Sequence, residues 1–135
     1  MNRKLSLLYF TLFLFFSSYS QTFNFNKLTL NDGMAHPYIY DICQDKNGFI
    51  WVATGEGLNR LDGSEVKKYD TKSGLADNFI TCLETTNNGI LWIGHNNGNI
   101  SYLYKGNIGK INISEKDIPV LKIKSHNIKN TWVLI

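Results

Sequence analysis

Apolar positions along this chain gather in short runs and do not form helical stripes. After residue 20 no stretch keeps apolar residues at i, i+3, i+4 and i+7, the spacing of a helix face. Instead, β-branched and aromatic runs end at Asn-Gly, Gly-x-Gly and Asp-Gly. "YIYDICQD" (38–45) is such a run, and "KNG" (46–48) supplies the positive φ that a hairpin turn needs. "FIWVAT" (49–54) is unbroken and apolar, as suits a strand covered on both faces. "GEG" (55–57) turns the chain into "LNRLD" (58–62), and "GS" (63–64) leads to "EVKKYD" (65–70), whose charges suit a solvent-facing edge. The pattern predicts four short antiparallel strands.

The pattern then recurs. Tryptophans stand at 51, 92 and 132, spaced 41 and 40 apart. Shifted by 41, residues 33–57 lie over 74–98: Gly33 meets Gly74, Ile39 meets Ile80, Asn47–Gly48 meets Asn88–Gly89 and Trp51 meets Trp92. Tyr38 for Phe79, Ile42 for Leu83 and Ile50 for Leu91 are conservative swaps. The second unit reads "FITCLET", "ILWIGH", "NISYLYK" and "IGKINIS", and a third, "IPVLKIK…TWVLI", is weaker. A period of this length belongs to propeller blades. The fold expected is therefore all-β: a partial β-propeller of about two and a half four-stranded antiparallel blades, with Trp51, Trp92, Ile39, Ile80, Ile50 and Leu91 in the core between sheets. Blade 1 is placed at 33–73, blade 2 at 74–114 and a truncated third blade at 115–135.

The first residues are different in kind. "MNRK" is basic, "LSLLYFTLFLFF" (5–16) is apolar and "SSYSQ" follows, the three-part layout of a signal peptide over 1–20 with cleavage after Ser20. Removing it takes away Arg3 and Lys4 and no acid, which lowers the net charge from +3 to +1. The chain is expected to be exported. Lys67–Lys68 and the spaced Lys122, Lys124 and Lys129 form no clustered basic footprint, so no nucleic-acid partner is expected.

Candidate chemistry changes little. Gly55, Gly57 and Gly63 punctuate strands, and no helix follows them to aim amides at a phosphate. His36, His95 and His126 share no metal-ligand spacing with acids or cysteines. Asp41 and Asp45 on the first inner strand meet Cys82 and Thr86 on the second, so no acid–base set recurs, and Asp45 suits the turn after it. No catalytic, cofactor-binding or metal-ligating residue is assigned, no cofactor is implied, and no ligand-binding residue is named. The chain is not expected to be an enzyme.

"DGMAHPYIYDICQDKNGFIWVATGEGLNRLDG", then "GLADNFITCLETTNNGILWIG", resembles the two-component regulator propeller repeat over about residues 23–104. The resemblance implies closed propellers that form the periplasmic sensor region of bacterial hybrid histidine kinases, often tuned to polysaccharide fragments. An immunoglobulin-like domain, a membrane helix and a kinase usually follow. It also implies that 21–32 holds an opening strand that closes the ring. His36–Pro37, Gly94–His95 and Asn99 depart from the family pattern, and the third repeat has Lys129 where a glycine is usual.

The chain is accordingly expected to be the N-terminal fragment of an exported ligand-sensing propeller, in the periplasm or envelope of a Gram-negative bacterium. The alternative is a structural or interaction propeller without kinase output. Closing a ring takes about four to eight blades. The expected partners are thus the remaining blades of a longer parent or a second copy, and a possible extracellular carbohydrate. Membrane attachment would come only through a helix downstream. Residues 105–135 are expected to be the least ordered.

Cys43 and Cys82 lie on inner strands of successive units. Sheets pack about 10 Å apart, whereas a disulfide needs Cα atoms within about 7 Å. Both thiols are therefore expected to react when the unfolded chain is titrated without reductant; a count of zero would overturn this.

Overall fold

The computed structural model describes residues 23, 25, 27–63, 65–113, 118–127 and 130–135. The signal segment 1–20 lies outside them. Blade 1 comprises β1 (Ile39–Gln44), β2 (Ile50–Thr54), β3 (Gly57–Asp62) and β4 (Glu65–Tyr69), hydrogen-bonded in that order. Blade 2 repeats the arrangement with β5 (Ile80–Thr85), β6 (Leu91–His95), β7 (Ile100–Tyr104) and β8 (Asn107–Ile111). A third unit is a hairpin of β9 (Lys122–Asn127) and β10 (Asn130–Leu134). All pairings are antiparallel, and the all-β architecture of stacked four-stranded sheets is the one the sequence implies.

Turn chemistry explains the hairpins. Asp45 Oδ1 accepts the backbone N–H groups of Asn47 and Phe49, at 2.8 and 3.1 Å, and so folds the β1–β2 turn back on itself. Ahead of each blade the chain makes a short 3-10 turn, Leu30–Asp32 or Thr71–Ser73, that ends on Gly33 or Gly74. Their φ angles of 94° and 111° belong to the left-handed region, where a side chain would strain the backbone.

After these turns each lead-in crosses its own sheet. Ala35 N donates to Asn59 Oδ1 and Ala76 N donates to Ser101 Oγ, both at 2.9 Å. Asn59 pairs with Val52 and Ser101 with Ile93, so both lead-ins cover the same face of their blade.

The sheets stack with β1 against β5 and β5 against β9, which makes these the inner strands. β1 and β5 each carry a bulge, at Tyr40 and at Thr81. Asp41 Oδ2 accepts Leu83 N at 2.8 Å, and Thr81 Oγ1 donates to Val120 O at 2.5 Å, so the inner strands are laced from blade to blade.

Two cores result. Trp51, Ala53 and Leu58 of blade 1 pack on Ile80, Leu83, Leu91 and Ile93 of blade 2, with Leu75 between. Cys82, Trp92 and Ile100 of blade 2 pack on Val120 and Ile123 of the third unit. Trp51, Trp92, Ile80 and Leu91 are thus buried as expected, whereas Ile39 is 55% exposed and Ile50 is only half-buried. The reason is positional: blade 1 covers this face of blade 2, whereas among the described residues no sheet packs on the equivalent face of blade 1.

The described part of 21–32 forms no strand either. Phe23 and Phe25 are exposed, and Leu30–Asp32 is the 3-10 turn. Residues 105–135 contain β8, β9 and β10, so paired structure extends well into the weak third repeat.

The period also shifts within blade 2. Arg60 faces Trp51 and Tyr102 faces Trp92, a separation of 42 rather than 41. The extra residue sits in the β6–β7 turn, so Ile100, and not Asn99, takes the buried place of Leu58. Asn99 is therefore no loss of a core residue.

Ile42 and Leu83 hold the same repeat position with opposite burial. Leu83→Ala is expected to cost about 2–5 kcal/mol and Ile42→Ala less than about 0.5 kcal/mol. Urea denaturation in dilute solution measures both, and equal losses would contradict the open first face.

Candidate functional site

Three surfaces gather polar or aromatic groups. The first follows the inner strands, where a cavity of about 390 Å³ is lined by Asp41, Cys43, Thr81, Glu84, Lys122 and Lys124 among others. Its carboxylates are engaged. Asp41 Oδ1 accepts Ile42 N at 2.8 Å while Oδ2 holds Leu83 N, and Glu84 pairs with Lys124 at 2.9 Å. Its thiols are protonated: burial, reinforced by Asp41, Asp45 and Glu84, pushes Cys43 up to about 12, and burial also raises Cys82. Both cysteines are free. A thiol held so far above neutrality is a poor nucleophile and a poor metal ligand. Among the described residues no group of three or more His, Cys, Asp or Glu side chains is placed to hold a metal ion.

The second surface is a cleft of about 160 Å³ between blades 1 and 2, floored by Trp51, Tyr69, Leu91 and Leu103. Asp45 lies in it but is fully used, since its Oδ2 accepts the Trp51 indole N–H at 2.9 Å in addition to the turn amides. One carboxylate thus closes a turn and orients the core ring, which is more than the turn-supporting role read from sequence. Thr86, its counterpart in blade 2, exchanges hydrogen bonds with Ile90 across the same turn but leaves the Trp92 indole N–H without an acceptor among the described residues. Arg60 stacks on Phe49, with its guanidinium carbon 4.4 Å from the ring centre, where blade 2 has Tyr102 against Trp92.

The third surface is aromatic, at the blade end that carries the β2–β3 turn. The rings of Tyr40 and Phe79 lie 4.8 Å apart, those of His36 and Tyr38 lie 5.3 Å apart, and Gly55 sits beneath Tyr40 and His36. Tyr40 is the bulged residue of β1, and the bulge turns its ring onto the next blade. Tyr38 and Tyr40 are 70% and 49% exposed. Sequence reasoning saw the Tyr38–Phe79 equivalence as apolar conservation and named no ligand residue here. The signal it lacked was the bulge, which breaks strict alternation and brings these rings to one end.

The histidines separate. His36 joins the aromatic end, and the side chain of His126 lies outside the described residues. His95 is fully buried at the end of β6, with Nε2 2.8 Å from Ser101 Oγ and its backbone carbonyl accepting Val120 N at 3.1 Å. Burial, which outweighs the opposing influence of Asp77, lowers its pKa from 6.5 to about 4. In blade 1 the same place belongs to Thr54, whose hydroxyl donates to Gly57 O at 2.7 Å.

Residues 33–56 and 74–97 each match the family pattern described as two component regulator propeller. Over 50 residues, 37% of the chain, it is 42% identical to "Histidine kinase P4" of Formosa agariphila. The chain spans about 4% of that relative's length.

A neutral His95 ties stability to pH. The unfolded chain takes up the proton near 6.5 and the folded chain only near 4. Stability is therefore full above about 6.5 and falls as pH drops towards 4. The loss expected from His95 by pH 4.5 is about 2–3 kcal/mol. Denaturation of the chain and of His95→Thr at pH 7.5 and 4.5 checks this: the variant should lose that much less, and equal losses would refute it.

Proposed function

From a chain that carries two two-component regulator propeller repeats, at residues 33–56 and 74–97, we propose that it is the opening part of an exported, ligand-sensing propeller in a two-component regulatory system. The carrying observation is that both repeats fold as four-stranded blades in one register and pack face to face through their tryptophan strands. The matched relative is a histidine kinase, and the matched stretch covers about 4% of its length. In this reading the kinase belongs to a longer chain, and the blades described here bind or transmit and do not catalyse.

A carbohydrate fragment is the ligand class this reading favours. Exposed aromatic rings, such as Tyr38 and Tyr40 beside the partly buried Phe79, offer apolar faces on which a pyranose ring can lie. The open outer faces of blade 1 and of the third unit favour a second reading, a structural or interaction propeller of the envelope.

Sequencing the coding DNA beyond the codon for Ile135 separates the two. Further tryptophan repeats, a membrane helix and a histidine kinase are the expected finding, whereas a secretion or anchoring domain without a kinase would sink the sensor reading. For the ligand, tryptophan fluorescence titrations with neutral and acidic oligosaccharides should show saturable binding that Tyr40→Ala weakens at least tenfold. Binding that this substitution leaves untouched would place the ligand elsewhere.

A further inference from the structure

The β1–β2 and β3–β4 turns lie at one end of blade 1 and the β2–β3 turn, with the aromatic rings, at the other. At the first of these ends positive charge gathers in the cleft between blades 1 and 2. The charged residues that line it are Asp45, Arg60 and Lys105. Asp45 is the acid, and its two oxygens already accept the Asn47 and Phe49 amides and the Trp51 indole N–H.

The two cations are poorly matched by acids. Arg60 reaches one carboxylate, that of Asp62, with Nη2 at 3.7 Å from Oδ2, and its Nε–H is buried with no acceptor among the described residues. Across the β3–β4 ladder it faces Lys67, whose Nζ lies over the ring of Tyr69 in the cleft wall. Like charges set directly opposite each other weaken a strand pair. Lys105, from blade 2, pairs with no acid among the described residues. It takes the first place of the two-residue turn Lys105–Gly106 between Tyr104 and Asn107. Its φ of 51° is the one positive value at a non-glycine among the described residues, in a place that suits Asn, Asp or Gly. Lys46 approaches as well, since a Cβ on the lining residue Gly89 would lie 2.8 Å from its Nζ.

We propose that this cleft binds a tetrahedral oxyanion, a sulfate or phosphate group, between Arg60 of blade 1 and Lys105 of blade 2. The guanidinium is steadied by Phe49, 4.4 Å from the ring centre, and its planar fork suits two oxygens of one anion. Lys105 adds a point charge from the facing blade. Size points the same way: about 160 Å³ is well below the roughly 300–1,000 Å³ of a pocket that encloses a whole small molecule, and fits one compact charged group. The inference does not rest on the sensing role or on the carbohydrate reading, because the aromatic rings occupy the other end of the blade.

Titration of the purified chain with sodium sulfate, sodium phosphate and their methyl esters, at ionic strength held constant with sodium chloride, tests it. Trp51 floors the cleft, so intrinsic tryptophan fluorescence is the readout. A saturable change is expected with at least one of these anions and none with chloride alone. Tighter binding of the inorganic ion would identify a free anion as the occupant, and tighter binding of the ester an acidic substituent of a larger molecule. Arg60→Gln and Lys105→Asn should each weaken binding at least tenfold. Lys105→Asn also gives the turn a residue suited to it, so its urea midpoint should not fall and loss of binding is separated from loss of fold. Tyr40→Ala, at the opposite end, should bind as the wild type does. A response no greater than that to chloride, binding that survives both Arg60→Gln and Lys105→Asn, or binding lost in Tyr40→Ala would overturn the proposal.

Discussion

Everything in this structure hangs on the contact between the tryptophan strand of one sheet and the Ile/Leu face of the next. A two-stranded hairpin is marginal in water, and a lone four-stranded sheet has two faces to cover. Here one face of blade 1 is covered by blade 2 and one face of blade 2 by the third hairpin. Burying such side chains contributes about 1.5–3 kcal/mol each, which makes the inter-blade cores the main source of cohesion. The polar laces at Asp41, Thr81 and Thr85 then fix how far the inner strands slide against one another.

The two blades solve the same packing problem with different polar chemistry. Blade 1 satisfies its core indole with Asp45 and ends its second strand on a hydroxyl, Thr54. Blade 2 leaves its indole unpaired and buries an imidazole, His95, whose Nδ1 also finds no hydrogen-bond partner among the described residues. Orphaned buried donors and acceptors cost about 1–3 kcal/mol each, and among the described residues blade 2 carries two, against the single Arg60 Nε of blade 1. Covalent tethering and burial between two other units let it bear them. Gly94 shows how tight that burial is: a Cβ there would sit 2.5 Å from Cys82 Sγ and 2.8 Å from Val120.

Much of this was legible in the chain itself. The spacing of Trp51, Trp92 and Trp132, the Asn-Gly turns and the charged outer strands carry the blade architecture, because turn type and strand period are local properties. What could not be read depends on neighbours. Ile39 and Ile80 look identical in sequence, yet one is exposed and the other buried, because only one has a sheet in front of it. The aromatic end was hidden for a different reason: a bulge at Tyr40 rotates its ring out of the alternating pattern. The burial of His95 was equally invisible, since histidine at a strand end carries no mark of the packing around it.

The single residue added between β6 and β7 has a wider implication. Up to that turn the two units superpose at 41 residues and beyond it at 42. The added residue leaves β5, β6 and the core between blades in place, because the turn absorbs it before β7 resumes pairing. The stretches that match the family pattern, 33–56 and 74–97, both stop at this turn. A blade therefore has two parts, an axial pair of strands of matched length in both units and an outer pair whose start can shift by a residue. The axial strands are locked to the next sheet by the inter-blade contacts, whereas the turn that leads to the outer strands can take up an added residue without disturbing that core.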